Sequence, residues 1–270
     1  WRAQWPFGEE AFLQQRLALD SLDEGRFQEI LGTPAQAYQV HMGGTGRRPD
    51  WLAALADAYS GPASAYAGYL PGEEMLGFLD LIQPMIDQAC ARLRAGFADL
   101  AQRYAAPPFD PGIIEDIFLM NLPDPLLMRL GRTMALELNV ARLQGMLDGE
   151  TPTERFASFL DGLRRPERSA EILAEYPVLA RQLWLCLMRW ADVSLEFLSR
   201  LCEDWVLIQE AFSLTEEPGP LVELLGGAGD THRGGRSVMV AEFESGFRIV
   251  YKPKSLAIDA HFQDLLEQVN

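Results

Sequence analysis

Residues 226–254 read GGAGDTHRGGRSVMVAEFESGFRIVYKPK, and in this stretch the chain changes from a helical to a β pattern. The opening glycines predict a loop, residues 236–243 a strand, residues 244–246 a turn, and residues 247–251 a returning strand. A helix is predicted from about residue 258 onward. The C-terminal end of the chain is therefore predicted to carry a small antiparallel β portion.

Upstream, from residue 1 to about residue 212, the pattern is almost entirely helical. Proline-containing breaks at residues 107–108, 123–125 and 218–220 separate the helices, because proline removes a backbone donor and disfavours helix in the residue before it. The predicted fold class is mainly α with a small β portion (α+β).

One set of large apolar residues recurs at intervals of three, four or seven, which predicts the core-facing side of a long helix. Its members are Leu183, Leu187, Trp190, Phe197, Leu201, Trp205 and Ile208. A cofactor-binding stripe is the alternative, but aromatic residues at helical spacing usually pack in a core. Two capping boxes are also predicted, one from Ser21 with Glu24 and one from Thr151 with Glu154, the latter with Pro152 at the first helical position.

The composition excludes several classes of protein. The 270 residues are 48% hydrophobic, which is enough for a sizeable core in roughly one or two domains. A formal net charge of -16 argues against a nucleic-acid-binding module and disfavours a membrane-surface role. The N-terminus lacks a signal-peptide pattern and every apolar stretch is interrupted before membrane-spanning length, so a cytoplasmic location is expected.

Recognised metal and nucleotide motifs are missing from the sequence. Cys90, Cys186 and Cys202 are widely spaced and form no C-x-x-C pair, so neither a disulfide framework nor a zinc site is predicted, and reduced core cysteines are expected. The glycines at 227 and 229 are followed by His232 where a dinucleotide fingerprint needs glycine, and a strand rather than a helix follows.

The chain has only two lysines, Lys252 and Lys254, and they lie together at the end of the second predicted strand. A lysine at the end of a strand, paired with a glycine-rich segment on the preceding strand, is how kinases hold nucleotide phosphates. A solvated lysine at the end of a strand is the alternative interpretation.

Asp230 and His232 lie in the glycine-rich segment at alternate positions, so in an extended chain both side chains would face one space. They form a candidate acid/base pair, because histidine titrates near neutrality and an aspartate can orient its ring. The alternative is an aspartate that ends a glycine turn beside an incidental histidine. Arg236, with Arg233 and the adjacent glycines, is a candidate anion-binding group, although basic turn residues are also common on surfaces.

Taken together, residues 226–238 and 249–257 closely resemble the signature of the class II (LanM-type) lanthipeptide synthetases. Further similar stretches are residues 1–7, 136–142, 151–159 and 175–181. In that family a helical region packs on a lipid-kinase-like catalytic core, and a zinc-dependent cyclase domain follows. The resemblance implies that residues 1–220 are the helical N-terminal region of the dehydratase and that residues 221–270 begin the kinase-like N-lobe.

The resemblance also implies an activity. Such a dehydratase phosphorylates Ser and Thr of a ribosomally made precursor peptide, leader plus core, and then eliminates phosphate. Lys252 and Arg236 would bind ATP, and Asp230 and His232 would serve mainly elimination. The Mg²⁺ ligands and the zinc ligands of the cyclase are expected beyond Asn270, in the rest of the synthetase chain. Residues 1–270 are therefore expected to be a catalytically incomplete fragment.

Two other functions remain open from the sequence. One is a kinase-like phosphotransferase without elimination, which product mass would distinguish from a dehydratase. The other is a non-catalytic helical peptide-binding scaffold with a vestigial kinase-like end, which would bind peptide without binding ATP.

Overall fold

A computed structural model describes residues 10–19, 21–33, 49–61, 74–214, 216–226 and 234–269. The chain divides into two compact units, Trp1–Pro49 and Asp50–Asn270. In the first unit, helices α1 (Glu10–Leu19) and α2 (Glu24–Gly32) are described.

The predicted capping box of Ser21 and Glu24 is wrong. The N-cap of α2 is Asp23, whose carboxylate accepts a hydrogen bond from the backbone N–H of Arg26 at 2.7 Å. Ser21 lies two residues earlier with a φ of 56°, in the left-handed region. Asp23 stands directly before the first helical residue, where a side-chain oxygen can accept from a free N–H of the first turn, so Asp23 and not Ser21 is the cap.

The second unit contains most of the described secondary structure. Its helical part comprises α3 (Asp50–Ser60), a 3-10 helix (Glu74–Ile82), α4 (Gln83–Arg103), α5 (Ile114–Leu119), α6 (Pro123–Leu143), α7 (Pro152–Leu163), α8 (Pro166–Glu175) and α9 (Pro177–Ala211). Its β part comprises β1 (Leu221–Leu225), β2 (Met239–Phe243) and β3 (Arg248–Tyr251), followed by α10 (Ala257–Val269). The predicted fold class, mainly α with a small β portion, is confirmed.

The second predicted capping box is confirmed at the start of α7. Thr151 Oγ1 accepts from the N–H of Glu154 at 3.2 Å, and the Glu154 carboxylate accepts from the N–H of Thr151 at 3.0 Å. Pro152 follows at the first helical position, where its missing N–H costs nothing. The backbone N–H groups of Thr151 and Glu150 both donate to the Glu154 carboxylate, and these two hydrogen bonds lower the pKa of Glu154.

Helix α9 is the central element of the second unit and spans 35 residues. The predicted stripe is confirmed as core, since Leu183, Leu187, Phe197 and Leu201 are buried and Trp190, Trp205 and Ile208 are partly buried. Helix α9 packs with α3, α6 and α8, and the buried residues of its first half share one core cluster with residues of α7 and the 3-10 helix. Its second half contacts α5 and the sheet through the rings of Phe197 and Trp205. Helix α4 runs along both halves, and its Gly96 lies so close to α9 that an added Cβ would collide with the Leu195 side chain.

The sheet is antiparallel in the order β1-β2-β3, with one more strand than the sequence predicted. The sequence pattern did not predict residues 221–225 as a strand. Their buried residues, Leu221 and Leu224, are three positions apart, because an irregularity between Leu221 and Glu223 breaks the alternation expected of a strand. The strand predicted over 236–243 begins only at Met239, and the returning strand begins at Arg248.

Two further predictions concern cysteines and membranes. No disulfide joins Cys90, Cys186 and Cys202, which all lie in the described part of the chain, and each is buried or half-buried. Among the described helices, none is long and apolar enough to cross a membrane.

Candidate functional site

One end of the sheet brings together residues that are distant in the sequence. Gly226 follows β1 directly, and β2 begins at Met239. Lys252 follows Tyr251, the Cα partner of Met239 across the β2–β3 pair. Because neighbouring strands are antiparallel, the glycine-rich segment leaves the sheet at the same end at which Lys252 does.

An apolar row crosses the open face of the sheet next to this end. Leu225 pairs with Val240, and Val240 pairs with Val250, so the three side chains lie side by side across the strands. Leu225 is 52% exposed and Val250 is 58% exposed. Exposed and partly buried side chains alternate along β3, and the alternation continues to Lys252, which is exposed like Val250. This alternation places Lys252 on the side of the sheet that carries the apolar row.

The opposite side of β3 is fixed to α9. The Tyr251 ring packs edge-on against Phe197 with centroids 5.2 Å apart, and the Arg200 guanidinium donates to the Tyr251 hydroxyl at 2.8 Å. Burial is the main cause of the raised pKa of Tyr251, so the phenol stays protonated. The backbone immediately before Lys252 is thus held against a long, well-packed helix.

Arg236 is tied to the same helix through Glu196. Its Nε donates to Glu196 Oε2 at 2.9 Å, while Arg200 Nη2 lies 2.6 Å from Glu196 Oε1. The hydrogen bond to Glu196 is the largest cause of the raised pKa of Arg236. The Glu196 carboxylate therefore links Arg236, just before β2, to Arg200, which holds Tyr251 at the end of β3. The role of Arg236 toward a nucleotide stays a prediction.

Asp230 and His232 lie outside the described residues, so their predicted pairing stays a prediction. Gly226 precedes their segment and Gly234 follows it, with a φ of 84° at Gly234 and 105° at Gly235. These φ values favour glycine, because a side chain is strained in that region. An added Cβ at Gly235 would also lie 3.4 Å from the Cβ of Arg189.

A cavity of about 720 Å³ opens at the same end of the sheet, on its helix-facing side. Its walls come from the chain before and within α6, from α9, and from the ends of β1 and β2. Asn121 fixes one wall, because its Nδ2 donates to Leu224 O at 2.7 Å and its Oδ1 accepts from Gly226 N at 3.3 Å. Sequence reasoning missed this cavity, since no local pattern joins residues near 121, 190 and 237.

Two arginines and a buried serine give the cavity its polar character. Arg129 and Arg189 both line it together with Cys186. Burial raises the pKa of the Cys186 thiol, and the two guanidinium charges oppose this effect without cancelling it. Ser194 also lines the cavity, is 2% exposed, and makes no side-chain hydrogen bond to any described residue. Within the described residues, no cluster of three or more His, Cys, Asp or Glu side chains could hold a metal ion.

Comparison with known proteins adds two similarities. Residues 176–270 match a family described as a domain of unknown function (DUF4135). This segment covers α9, the sheet and α10, so it includes Lys252 and the glycine-rich segment. The chain is also 24% identical over 159 residues to the lacticin 481/lactococcin biosynthesis protein LcnDR2 of Lactococcus lactis subsp. lactis. That match covers 58% of this chain and 16% of the length of the relative.

Proposed function

We propose that the chain is part of the dehydratase region of a class II lanthipeptide synthetase. Such an enzyme uses ATP to phosphorylate Ser and Thr of a ribosomally made precursor peptide and then eliminates phosphate. The observation that carries the proposal is the meeting of Gly226, the apolar row and Lys252 at one end of the sheet. The similarity to a protein named for lacticin 481 biosynthesis supports the same assignment.

The open face of the sheet fits a nucleotide. The apolar row, formed by Leu225, Val240 and Val250, is a surface of the kind that covers a planar base. Polar groups would then recognise the edges of that base. Lys252 would then supply a compact positive charge to the phosphates beyond the row. The glycine-rich segment lets backbone N–H groups approach the same phosphates closely.

In the first reaction, the substrate hydroxyl oxygen attacks the γ-phosphorus of ATP. An O–P bond forms, the bond to the β-phosphate oxygen breaks, and ADP leaves with that electron pair. Lys252 stabilises the charge on the phosphates during this transfer. The hydroxyl proton passes to a base of the intact synthetase, which would also supply the ligands that hold Mg²⁺.

In the second reaction, a base removes the α-proton of the phosphorylated residue. The C–H electrons form the new carbon–carbon double bond, the Cβ–O bond breaks, and phosphate leaves. Asp230 and His232 are the candidates for this proton transfer, because an imidazole near its neutral form accepts a proton at physiological pH. The products are dehydroalanine from Ser and dehydrobutyrine from Thr.

The test is mass spectrometry of a precursor peptide that is co-expressed with the intact synthetase. Loss of one water per modified residue supports the proposal. Gain of phosphate without loss of water would instead indicate a phosphotransferase without elimination. If the peptide stays unmodified and binds the synthetase, and the synthetase does not bind ATP, the protein is a non-catalytic scaffold.

A further inference from the structure

The cavity beside the sheet is elongated along α9. Its lining extends from Gln182 to Ser194 on that helix, which at the rise of an α-helix corresponds to about 18 Å. An extended peptide of about five residues has the same length. A volume of about 720 Å³ accommodates several of its side chains.

The cavity also carries positive charge that described residues leave largely unpaired. Arg189 forms no hydrogen bond or ion pair with any described residue, and Arg129 donates only to the backbone carbonyl of Pro125 within that part of the chain. Among the described lining residues, Asp124 is the one carboxylate, so guanidinium groups outnumber carboxylates there. This local excess stands out in a chain with a net charge of -16.

Other lining groups indicate a ligand with both polar and apolar parts. The hydroxyl of Ser194 is buried without a partner among the described residues, and such a group is costly unless a ligand or water satisfies it. Trp190 and Leu185 add apolar surface to the wall of the cavity, and Met120, which also lines it, is 80% exposed. A purely anionic small ligand would leave this apolar surface unused.

We propose that this arginine cavity, lined by Arg129, Trp190, Arg189 and Ser194, binds an acidic segment of the peptide substrate. Carboxylates of that segment would pair with the two guanidinium groups, and a neighbouring apolar side chain would pack on Trp190. The inference rests on the proposed function only for the identity of the ligand. The cavity and the apolar row lie on opposite sides of the sheet but at the same end, so the bound peptide would lead toward Gly226.

Fluorescence anisotropy with the 270-residue chain tests the inference. The probe is a fluorescein-labelled synthetic peptide with two glutamates around a leucine in a glycine–serine background, and a second probe has glutamine in place of glutamate. The double variant Arg129→Gln/Arg189→Gln is compared with Arg132→Gln/Arg181→Gln, which removes the same charge from α6 and α9 outside the cavity lining. We expect the cavity variant to weaken binding about tenfold and the control about twofold or less.

Equal weakening by both double variants would overturn the inference, because it would show a general charge effect. If the glutamine probe binds as tightly as the glutamate probe, the inference is overturned as well. The same holds if binding is seen only with a version of the probe that carries phosphoserine. Ser194→Ala keeps both arginines and serves as a second variant, with an expected weakening of about threefold. Thermal melts of all variants establish that each is folded.

The proposed function is judged by a separate measurement. If the intact synthetase dehydrates its precursor and the arginine variants leave KM unchanged, only the inference about the cavity fails. If the acidic probe binds as expected but no precursor is phosphorylated or dehydrated, the proposed function fails and the binding site stands.

Discussion

At the scale of single residues, Lys252 has the clearest predicted role, because it lies at the end of the sheet where Gly226 follows β1 and its side chain is exposed. Replacing Lys252 with Ala in the intact synthetase is expected to reduce phosphorylation at least about a hundredfold, since the transferred phosphoryl group loses a cation that stabilises its charge. Lys254→Ala is the matched control and should retain most activity. Undiminished dehydration by Lys252→Ala would remove this residue from the site.

Asp230 and His232 are predicted to act after phosphoryl transfer. His232→Ala or Asp230→Asn should slow elimination more than phosphorylation, so phosphorylated peptide accumulates during a time course followed by mass spectrometry. A thermal melt checks that the variants are folded. Equal loss of both steps in a folded variant would assign these residues to substrate or ATP binding instead, and normal dehydration would exclude them from the mechanism.

Ser194 and Ser169 form a natural pair for testing the unpartnered hydroxyl. Both are buried, but Ser169 donates to the carbonyl oxygen of Leu163, whereas Ser194 makes no such bond to a described residue. Ser169→Ala should lower the free energy of unfolding by about 1 kcal/mol. Ser194→Ala should leave it unchanged or raise it by up to about 1 kcal/mol. Urea denaturation measures both, and a larger loss for Ser194→Ala would show that its hydroxyl is satisfied in the free chain.

At the scale of secondary-structure elements, the capping box of α7 is a defined local contribution to stability. Thr151→Ala removes the hydroxyl that accepts from the N–H of Glu154 and should lower the free energy of unfolding by about 1 kcal/mol. Thr153→Ala, within the first turn of the same helix, is the control and should change it by less than about 0.5 kcal/mol. Equal effects of the two substitutions in urea denaturation would contradict the assignment.

The same cap predicts a pH dependence with a definite sign. The pKa of Glu154 is lowered in the folded chain by its backbone hydrogen bonds. The contribution of the ionised Glu154 carboxylate to folding stability is therefore complete above the ordinary glutamate pKa. It is lost as the pH falls through the lowered pKa of Glu154 in the folded chain. The gap in stability between wild type and Glu154→Gln should accordingly narrow as the solution is acidified.

At the scale of the whole molecule, the unit Asp50–Asn270 has its own core and should fold without the first unit. Residues 50–270 expressed alone are expected to unfold in a cooperative thermal transition. Residues 50–220, which lack the sheet, would expose Phe197 and Leu201 and should lose cooperativity. A non-cooperative transition for residues 50–270, beside a cooperative one for the 270-residue chain, would show that the first unit is required.

The sequence by itself determined the features that depend on near neighbours. The stripe from Leu183 to Ile208 and the cap at Thr151 were predictable, because helix period and capping are set within three or four residues. The glycine-rich segment and Lys252 were also visible as a motif. Two neighbouring residues could each have capped α2, and the structure shows that Asp23 rather than Ser21 does so.

Only the tertiary structure decided how distant segments meet. Strand β1 is defined by its pairing with β2, across the glycine-rich segment, and its irregular register hid the strand pattern. Arg129 and Arg189 are sixty positions apart, yet the packing of α6 beside α9 brings both to one cavity. Such contacts depend on burial and on loop closure across the whole unit, and no local spacing encodes them.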